Sequence, residues 1–152
     1  MYQLRTFLIL SFFTISVKAE VATFAGGCFW CMEPPYENLV GVSKVISGYA
    51  GGKEKNPAYK DVASGKTGHR EAVQVHYDPS LISYQRLLEI FWINIDPTDP
   101  KGQFVDKGFQ YTSAIFPHND QQETLAKESL KALKKTGKFP SIVTKIEKFT
   151  TF

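Results

Sequence analysis

The sequence predicts an α/β (α+β) fold: a two-layer sandwich of helices against a largely antiparallel sheet, with a ferredoxin-like βαββαβ core plus an added helix and strand. Three observations carry that expectation. The run Glu71-Ala72-Val73-Gln74-Val75-His76-Tyr77 alternates as a strand does, with Ala72, Gln74 and His76 on one face and Glu71, Val73, Val75 and Tyr77 on the other. Leu87, Leu88, Phe91 and Trp92 recur at helical spacing behind Ser83, which can cap that helix. Gly and Pro punctuate the chain at short intervals, with no internal repeat or low-complexity tract, in the manner of a compact mixed domain. A chain of 152 residues that is 43% hydrophobic can bury one sizeable core but leaves no room for two ordinary domains.

In chain order, residues 21–25 read as a short strand. Gly26-Gly27 then turns the chain sharply into a helix over about residues 29–38, and Pro34 and Pro35 make its first turns late or irregular. Gly41 ends it. Residues 42–49 are a β-rich run closed by Ala50-Gly51-Gly52, and a loop rich in glycine and lysine continues as far as Gly68. Pro97 stops the helix behind Ser83. Residues 96–110 hold Pro, Gly and Asp without periodicity, and a loop that long inside a small domain is usually functional. Residues 112–116 form a fourth strand, Asn119 and Gln122 sign the start of a helix reaching about Thr136, and residues 142–146 form the last strand.

The first 19 residues differ in kind. Arg5 precedes an uncharged apolar run of 11 residues, 7–17, and Val17-Lys18-Ala19 places small residues where a signal peptidase wants them. The run is well short of the roughly 20 residues that span a bilayer. Residues 1–19 are therefore expected to be a secretory signal peptide. The mature protein is expected to be exported, periplasmic or extracellular, without stable membrane association. Losing Arg5 and Lys18 takes the 18 basic residues to 16 against 15 acidic ones, a net charge of +1. No Lys/Arg stripe with interleaved aromatics marks a nucleic-acid surface, and nucleic acid is not an expected partner. Lys131, Lys134, Lys135 and Lys138 read as the solvated end of a helix, where cations suit the dipole.

Cys28 and Cys31 are the only cysteines in the sequence. In an exported protein their spacing allows a structural bridge, a redox pair or half of a metal site. So short a loop staples a fold poorly. A c-type haem is excluded because Met32 stands where the required His would be. Zinc would need two more ligands, and His69, His76 and His118 are isolated. Redox chemistry remains. A cysteine after a Gly-Gly turn that opens a helix meets unsatisfied N–H groups and the positive end of the helix dipole, both of which favour thiolate. Cys28 is thus a candidate nucleophile, and Cys31, one turn later, faces the same side within disulfide reach. The plain alternative is a buried, inert Cys28.

Gly26-Gly27-Cys28-Phe29-Trp30, followed by Glu33, resembles the active-site motif of the A-type peptide methionine sulfoxide reductases. Segments similar to that family follow in the same order: Gly48-Tyr49-Ala50-Gly51-Gly52, Asn56-Pro57-Ala58-Tyr59, Gly65-Lys66-Thr67-Gly68-His69-Arg70-Glu71, and Asp96-Pro97-Thr98-Asp99. Gly102-Gln103-Phe104-Val105-Asp106-Lys107-Gly108 and Gln110-Tyr111-Thr112-Ser113-Ala114-Ile115 continue the match, which covers nearly everything after Glu20. The resemblance implies a two-layer α/β fold, reduction of methionine-S-sulfoxide in proteins, peptides or free form, no metal, and recycling by an external thioredoxin-like dithiol. It also implies that Glu71 is the catalytic acid and that Tyr59, Asp106 and Tyr111 serve sulfoxide binding or its hydrogen-bond network.

The chemistry of those residue types agrees with the resemblance. A sulfoxide oxygen is a poor leaving group, so the site needs a proton donor beside the attacking thiolate. An acid in an aromatic, partly desolvated pocket holds its proton to higher pH. The small methyl group beside a polar sulfoxide calls for an apolar slot with a few hydroxyl donors, and Phe29 and Trp30 would supply the slot. Attack by Cys28 would leave a sulfenic acid, and Cys31 would condense with it to a Cys28–Cys31 disulfide that an external dithiol reduces.

Members of that family usually continue beyond the position of Phe152 with an acidic segment containing Tyr and His, often with a resolving cysteine. Residues 20–152 are accordingly expected to be the catalytic domain lacking that segment, with Cys31 as the internal resolving candidate. Two readings from other classes compete. An exported thioredoxin-like thiol-disulfide oxidoreductase also fits a strand-CxxC-helix, and a binding module could hold Met-containing peptides in an aromatic pocket without chemistry.

Overall fold

A computed structural model describes residues 18–152 of the chain. The expected signal peptide lies outside the described residues except for Lys18 and Ala19. The elements in order are strand β1 (Glu20–Ala25), the one-turn helices α1 (Phe29–Met32) and α2 (Pro34–Glu37), strand β2 (Val42–Ala50), helix α3 (Tyr59–Ala63), strand β3 (Arg70–Tyr77) and helix α4 (Tyr84–Ile93). A short hairpin follows, β4 (Gly102–Gln103) and β5 (Asp106–Lys107), then a 3-10 turn at Phe109–Tyr111, strand β6 (Ala114–Phe116), helix α5 (Asp120–Lys135) and strand β7 (Lys145–Ile146).

The main sheet has the order β2-β3-β1-β6-β7. Its first four strands pair antiparallel, and β7 joins β6 in parallel. With β6 as the fourth core strand, this is the ferredoxin-like arrangement, in which β1 lies between β3 and β6, and α5 and β7 are the added pair. One face of the sheet carries the main core. Phe24 is fully buried there, with its ring 5.6 Å from Tyr36 and 5.3 Å from Phe91. Each such side chain contributes about 1.5–3 kcal/mol through its removal from water.

The opposite face is lined by small residues, Ala25, Ala50, Ala72 and Ala114, beside Phe116 and Phe149. The small side chains let the segment after β7 lie flat on the sheet. Glu147 N–H donates to Ile115 and Phe149 N–H to Pro117, and the Phe149 ring stacks 4.0 Å from His118.

The capping expectations correspond to real contacts. Ser83 Oγ accepts from Arg86 N–H at 3.2 Å, and Asn119 Oδ1 accepts from Gln122 N–H at 2.9 Å. Buried Gln122 also reaches back to the sheet, donating to the Val21 carbonyl at 2.9 Å, and Trp92 Nε1 joins α4 to Ser129 of α5 at 3.1 Å.

Four expectations need correction. The helix expected over residues 29–38 is two single turns that break at Glu33, because Pro34 and Pro35 have no N–H with which to continue the ladder. The loop before Gly68 contains α3, whose N-cap position is Ala58, with no side-chain cap to announce the helix. The long loop at 96–110 contains the β4–β5 hairpin and the 3-10 turn. The strands expected at 112–116 and 142–146 are shorter, Ala114–Phe116 and Lys145–Ile146.

Candidate active site

Cys28 follows the Gly26-Gly27 turn at the end of β1. Gly27 has φ +98°, and a Cβ there would lie 2.8 Å from Gln103 Cβ, so the turn requires glycine and sits directly against β4. Gln103 is buried and locks the preceding loop: its Oε1 accepts from Asp96 N–H at 2.7 Å, and its Nε2 donates to the carbonyls of Asp96 at 2.9 Å and Gly102 at 2.8 Å. At Gly26 a Cβ would meet Ile95 and Met32 at 2.7 Å. The turn that carries Cys28 is thus clamped between the core and the 96–110 loop.

Cys28 is half-buried and Cys31 exposed, and both are free thiols. The Cys28 carbonyl accepts from Cys31 N–H at 3.0 Å and Met32 N–H at 3.3 Å, which closes the single turn that sets the two cysteines side by side. One turn cannot build the macrodipole expected of a ten-residue helix, so that part of the argument for a thiolate at Cys28 falls away, and only local N–H groups remain. Partial desolvation pushes the Cys31 thiol up although the residue is largely exposed, and the neighbouring Cys28 thiol, as charge and as hydrogen-bond partner, pushes it the same way, with smaller contributions from Asp106 and Glu71.

Glu71, only 2% exposed, sits on the helix-facing side of β3. Its Oε2 accepts from Phe29 N–H at 3.1 Å, which joins the carboxyl to the residue after Cys28. Burial raises its pKa above the ordinary 4.5; the Phe29 N–H opposes the shift, and the charge of Asp106 adds to it. Cys28, Cys31, Glu71, Asp106 and Tyr111 therefore form one electrostatic neighbourhood. The half-buried Tyr111 phenol is pushed up by burial first, then by Glu71, Tyr59, Asp106 and Cys28.

The aromatic residues split in character. Phe29 is 7% exposed, whereas Trp30 is 67% and Tyr59 52% exposed. Trp30 lies 5.7 Å from the Phe29 ring and Tyr59 6.3 Å from it. The expected slot is an open shelf, with Phe29 as its floor and Trp30 and Tyr59 as its rim. Tyr59 reaches this place because α3 begins at it.

Sequence reasoning did not single out Tyr49. It stands opposite Glu71 in the β2–β3 register, and its ring is 6.1 Å from Phe29. Burial, then Glu71 and Tyr59, push its phenol up. Its place in Gly-Tyr-Ala-Gly-Gly was the available signal, and only the register pairs it with Glu71. Arg70, the neighbour of Glu71, is buried and makes a bidentate pair with Glu147 at 3.0 and 3.1 Å. It also donates to Thr112 Oγ1 at 2.8 Å and lies over the Phe109 ring at 4.4 Å, which anchors the turn that carries Tyr111.

The family described as Peptide methionine sulfoxide reductase matches residues 20–152. The chain belongs to this family. Its activity is the thiol-dependent reduction of methionine sulfoxide to methionine, and the thioredoxin-like exchange reading that the CxxC alone allowed is not favoured. Among relatives, the peptide methionine sulfoxide reductase MsrA of Bacillus subtilis (strain 168) is 52% identical over 139 residues, 91% of this chain and 78% of that one. Mxr1 from Saccharomyces cerevisiae in reduced form superposes with a TM-score of 0.80 at 36% identity, covering 90% of this chain and 80% of that one. Mxr1 in complex with Trx2 matches with a TM-score of 0.60 at 25% identity over 93% of this chain and 84% of that one. For this reductase family the fold expected from the sequence, an α+β sandwich, is also the fold of its solved relatives.

Proposed function

We propose that this chain reduces the S epimer of methionine sulfoxide through Cys28, with Glu71 as proton donor and Cys31 as the resolving thiol. The observation that carries the assignment is the Glu71 carboxyl, buried and bonded to Phe29 N–H at 3.1 Å. Because Oε2 is committed as an acceptor, a proton on Oε1 is free to be donated to a sulfoxide oxygen above Cys28. Phe29 and Trp30 take the methyl group, and Tyr59, Tyr111 and Asp106 hold or orient the polar end.

The Cys28 thiolate attacks the sulfoxide sulfur while Glu71 protonates the oxygen. As the new bond between the two sulfur atoms and the sulfoxide S–O bond break, the hydroxyl passes to Cys28; methionine leaves reduced by two electrons, and Cys28 is left as a sulfenic acid, oxidised by two. Cys31 then displaces the oxygen as water and forms the Cys28–Cys31 disulfide. An external dithiol returns both cysteines to thiols. In total, one sulfoxide and one dithiol give one thioether, one disulfide and one water.

A thioredoxin-type protein is the proposed reductant, supported by the likeness to Mxr1 in its complex with Trx2. The substrates are oxidised proteins, peptides or free methionine sulfoxide. The Arg5-led apolar run supports an exported, periplasmic or extracellular location, and sequencing the mature N-terminus tests it. The decisive assay of the activity offers the separated S and R epimers of dabsyl-methionine sulfoxide with dithiothreitol. Methionine product from the S epimer alone is expected, and product from the R epimer or from neither overturns the assignment.

A further inference from the structure

The β4–β5 hairpin pairs Gly102 with Lys107 and Gln103 with Asp106, which leaves Phe104 and Val105 as a two-residue tip. Both ends of the tip are fixed at the active site. Gln103 backs onto Gly27, and the charge of Asp106 reaches Cys31, Glu71 and Tyr111. Consecutive Cα atoms lie about 3.8 Å apart, so each tip residue is one step along the chain from a residue placed at the active site. The tip is nonetheless apolar and open to solvent, with Phe104 65% and Val105 90% exposed.

Phe104 has φ +49° at the first position of the turn, where two-residue hairpins favour glycine. A bulky side chain there strains the backbone, and strain kept at an exposed position beside a reactive site points to a use for the side chain. Exposed Trp30, 5.7 Å from the Phe29 ring, offers a second apolar rim. A methionine sulfoxide held at Cys28 within a polypeptide leads its neighbouring residues out past such exposed apolar groups. Methionine is a core residue whose oxidation disrupts apolar packing, so those neighbours are commonly apolar.

We propose that the Phe104–Val105 tip is a specificity element that binds apolar side chains flanking methionine sulfoxide in polypeptide substrates, and that free methionine sulfoxide makes no use of it. The proposal rests on Cys28 being the sulfoxide-reducing centre.

The test compares the full chain with a Phe104→Gly, Val105→Ser variant. These changes suit the turn, so the fold is expected to keep or raise its urea midpoint. Three kcat/KM values are measured with dithiothreitol as reductant: for N-acetyl-methionine-S-sulfoxide, for a peptide with leucines on both sides of the sulfoxide, and for the same peptide with serines. The variant should lose roughly tenfold on the leucine peptide, as partial exposure of a large apolar contact implies, while the other two values stay within about twofold. Equal losses on all three substrates, or no loss on the leucine peptide, overturn the proposal. So does a loss seen only when thioredoxin replaces dithiothreitol, which would make the tip a reductant contact. Failure of the unmodified chain to reduce even N-acetyl-methionine-S-sulfoxide would sink the underlying catalytic reading instead.

Discussion

Glu71 on β3 accepts a hydrogen bond from the backbone N–H of Phe29, the residue that follows Cys28, at 3.1 Å. The contact spans 42 positions of sequence and brings the proposed acid and nucleophile together without any direct bond between their side chains. It also decides which carboxyl oxygen is free, and so fixes where a transferable proton can reside.

Glu71→Gln keeps an acceptor for Phe29 N–H but cannot give up a carboxyl proton. Its kcat/KM on methionine-S-sulfoxide should fall by about 10²–10⁴, the usual contribution of a general acid. In the unmodified protein the same parameter should decline as pH rises through the Glu71 pKa, which lies above 4.5. A pH profile whose basic limb is unchanged in Glu71→Gln would exclude Glu71 as its source.

The same substitution should have the opposite effect on stability. Burial raises the folded-state pKa of Glu71 above the unfolded value, so the stability linked to it is fully present below the unfolded pKa and is lost as pH rises through the folded pKa. Glu71→Gln removes that loss. Its Tm should match the parent at acid pH, exceed it increasingly as pH rises from the unfolded towards the folded pKa, and keep a constant lead above the folded pKa, as calorimetry over a range of about 4 pH units upward from pH ~4 would show. A Tm difference that is constant over that whole range would point to packing rather than charge.

Cys31→Ser should stop after one equivalent of methionine with a thioredoxin-type reductant and leave Cys28 trappable by dimedone as sulfenic acid. Steady turnover of that variant with thioredoxin would show that Cys31 is dispensable. In Cys28→Ala, the Cys31 thiol loses two of the influences that raise its pKa, while its partial desolvation persists. Its alkylation by iodoacetamide near neutral pH should therefore quicken modestly, by about twofold to threefold.

Gly27→Ala places a methyl group 2.8 Å from Gln103 Cβ on a backbone with φ +98°. Left-handed conformation alone costs about 1–2 kcal/mol for a residue with a Cβ, and the clash adds to that. Urea denaturation should show a loss of at least about 1–2 kcal/mol, together with reduced activity, because the displaced partner is the loop that presents Asp106.

Local physics wrote itself legibly into the sequence. Period-two alternation located β3, Ser83 and Asn119 marked the starts of α4 and α5 through contacts three residues away, and the Gly-Gly turn placed Cys28 at the end of β1. The ordered motifs named the family. Helix α3 and the β4–β5 hairpin were not legible, since α3 has no capping side chain and two-residue strands are too short to show a period. Nor could the sequence pair Tyr49 with Glu71, join Glu71 to Phe29, or set Arg70 on Glu147, 77 positions away. Register and burial are properties of the whole packed sheet, and they raise the Glu71 pKa. Residue types and motif order along the chain name the candidates for sulfoxide chemistry; the desolvation of Glu71 against the Phe29 N–H arises in the packed fold, because water is excluded by the sheet and its helices and not by any neighbour along the chain.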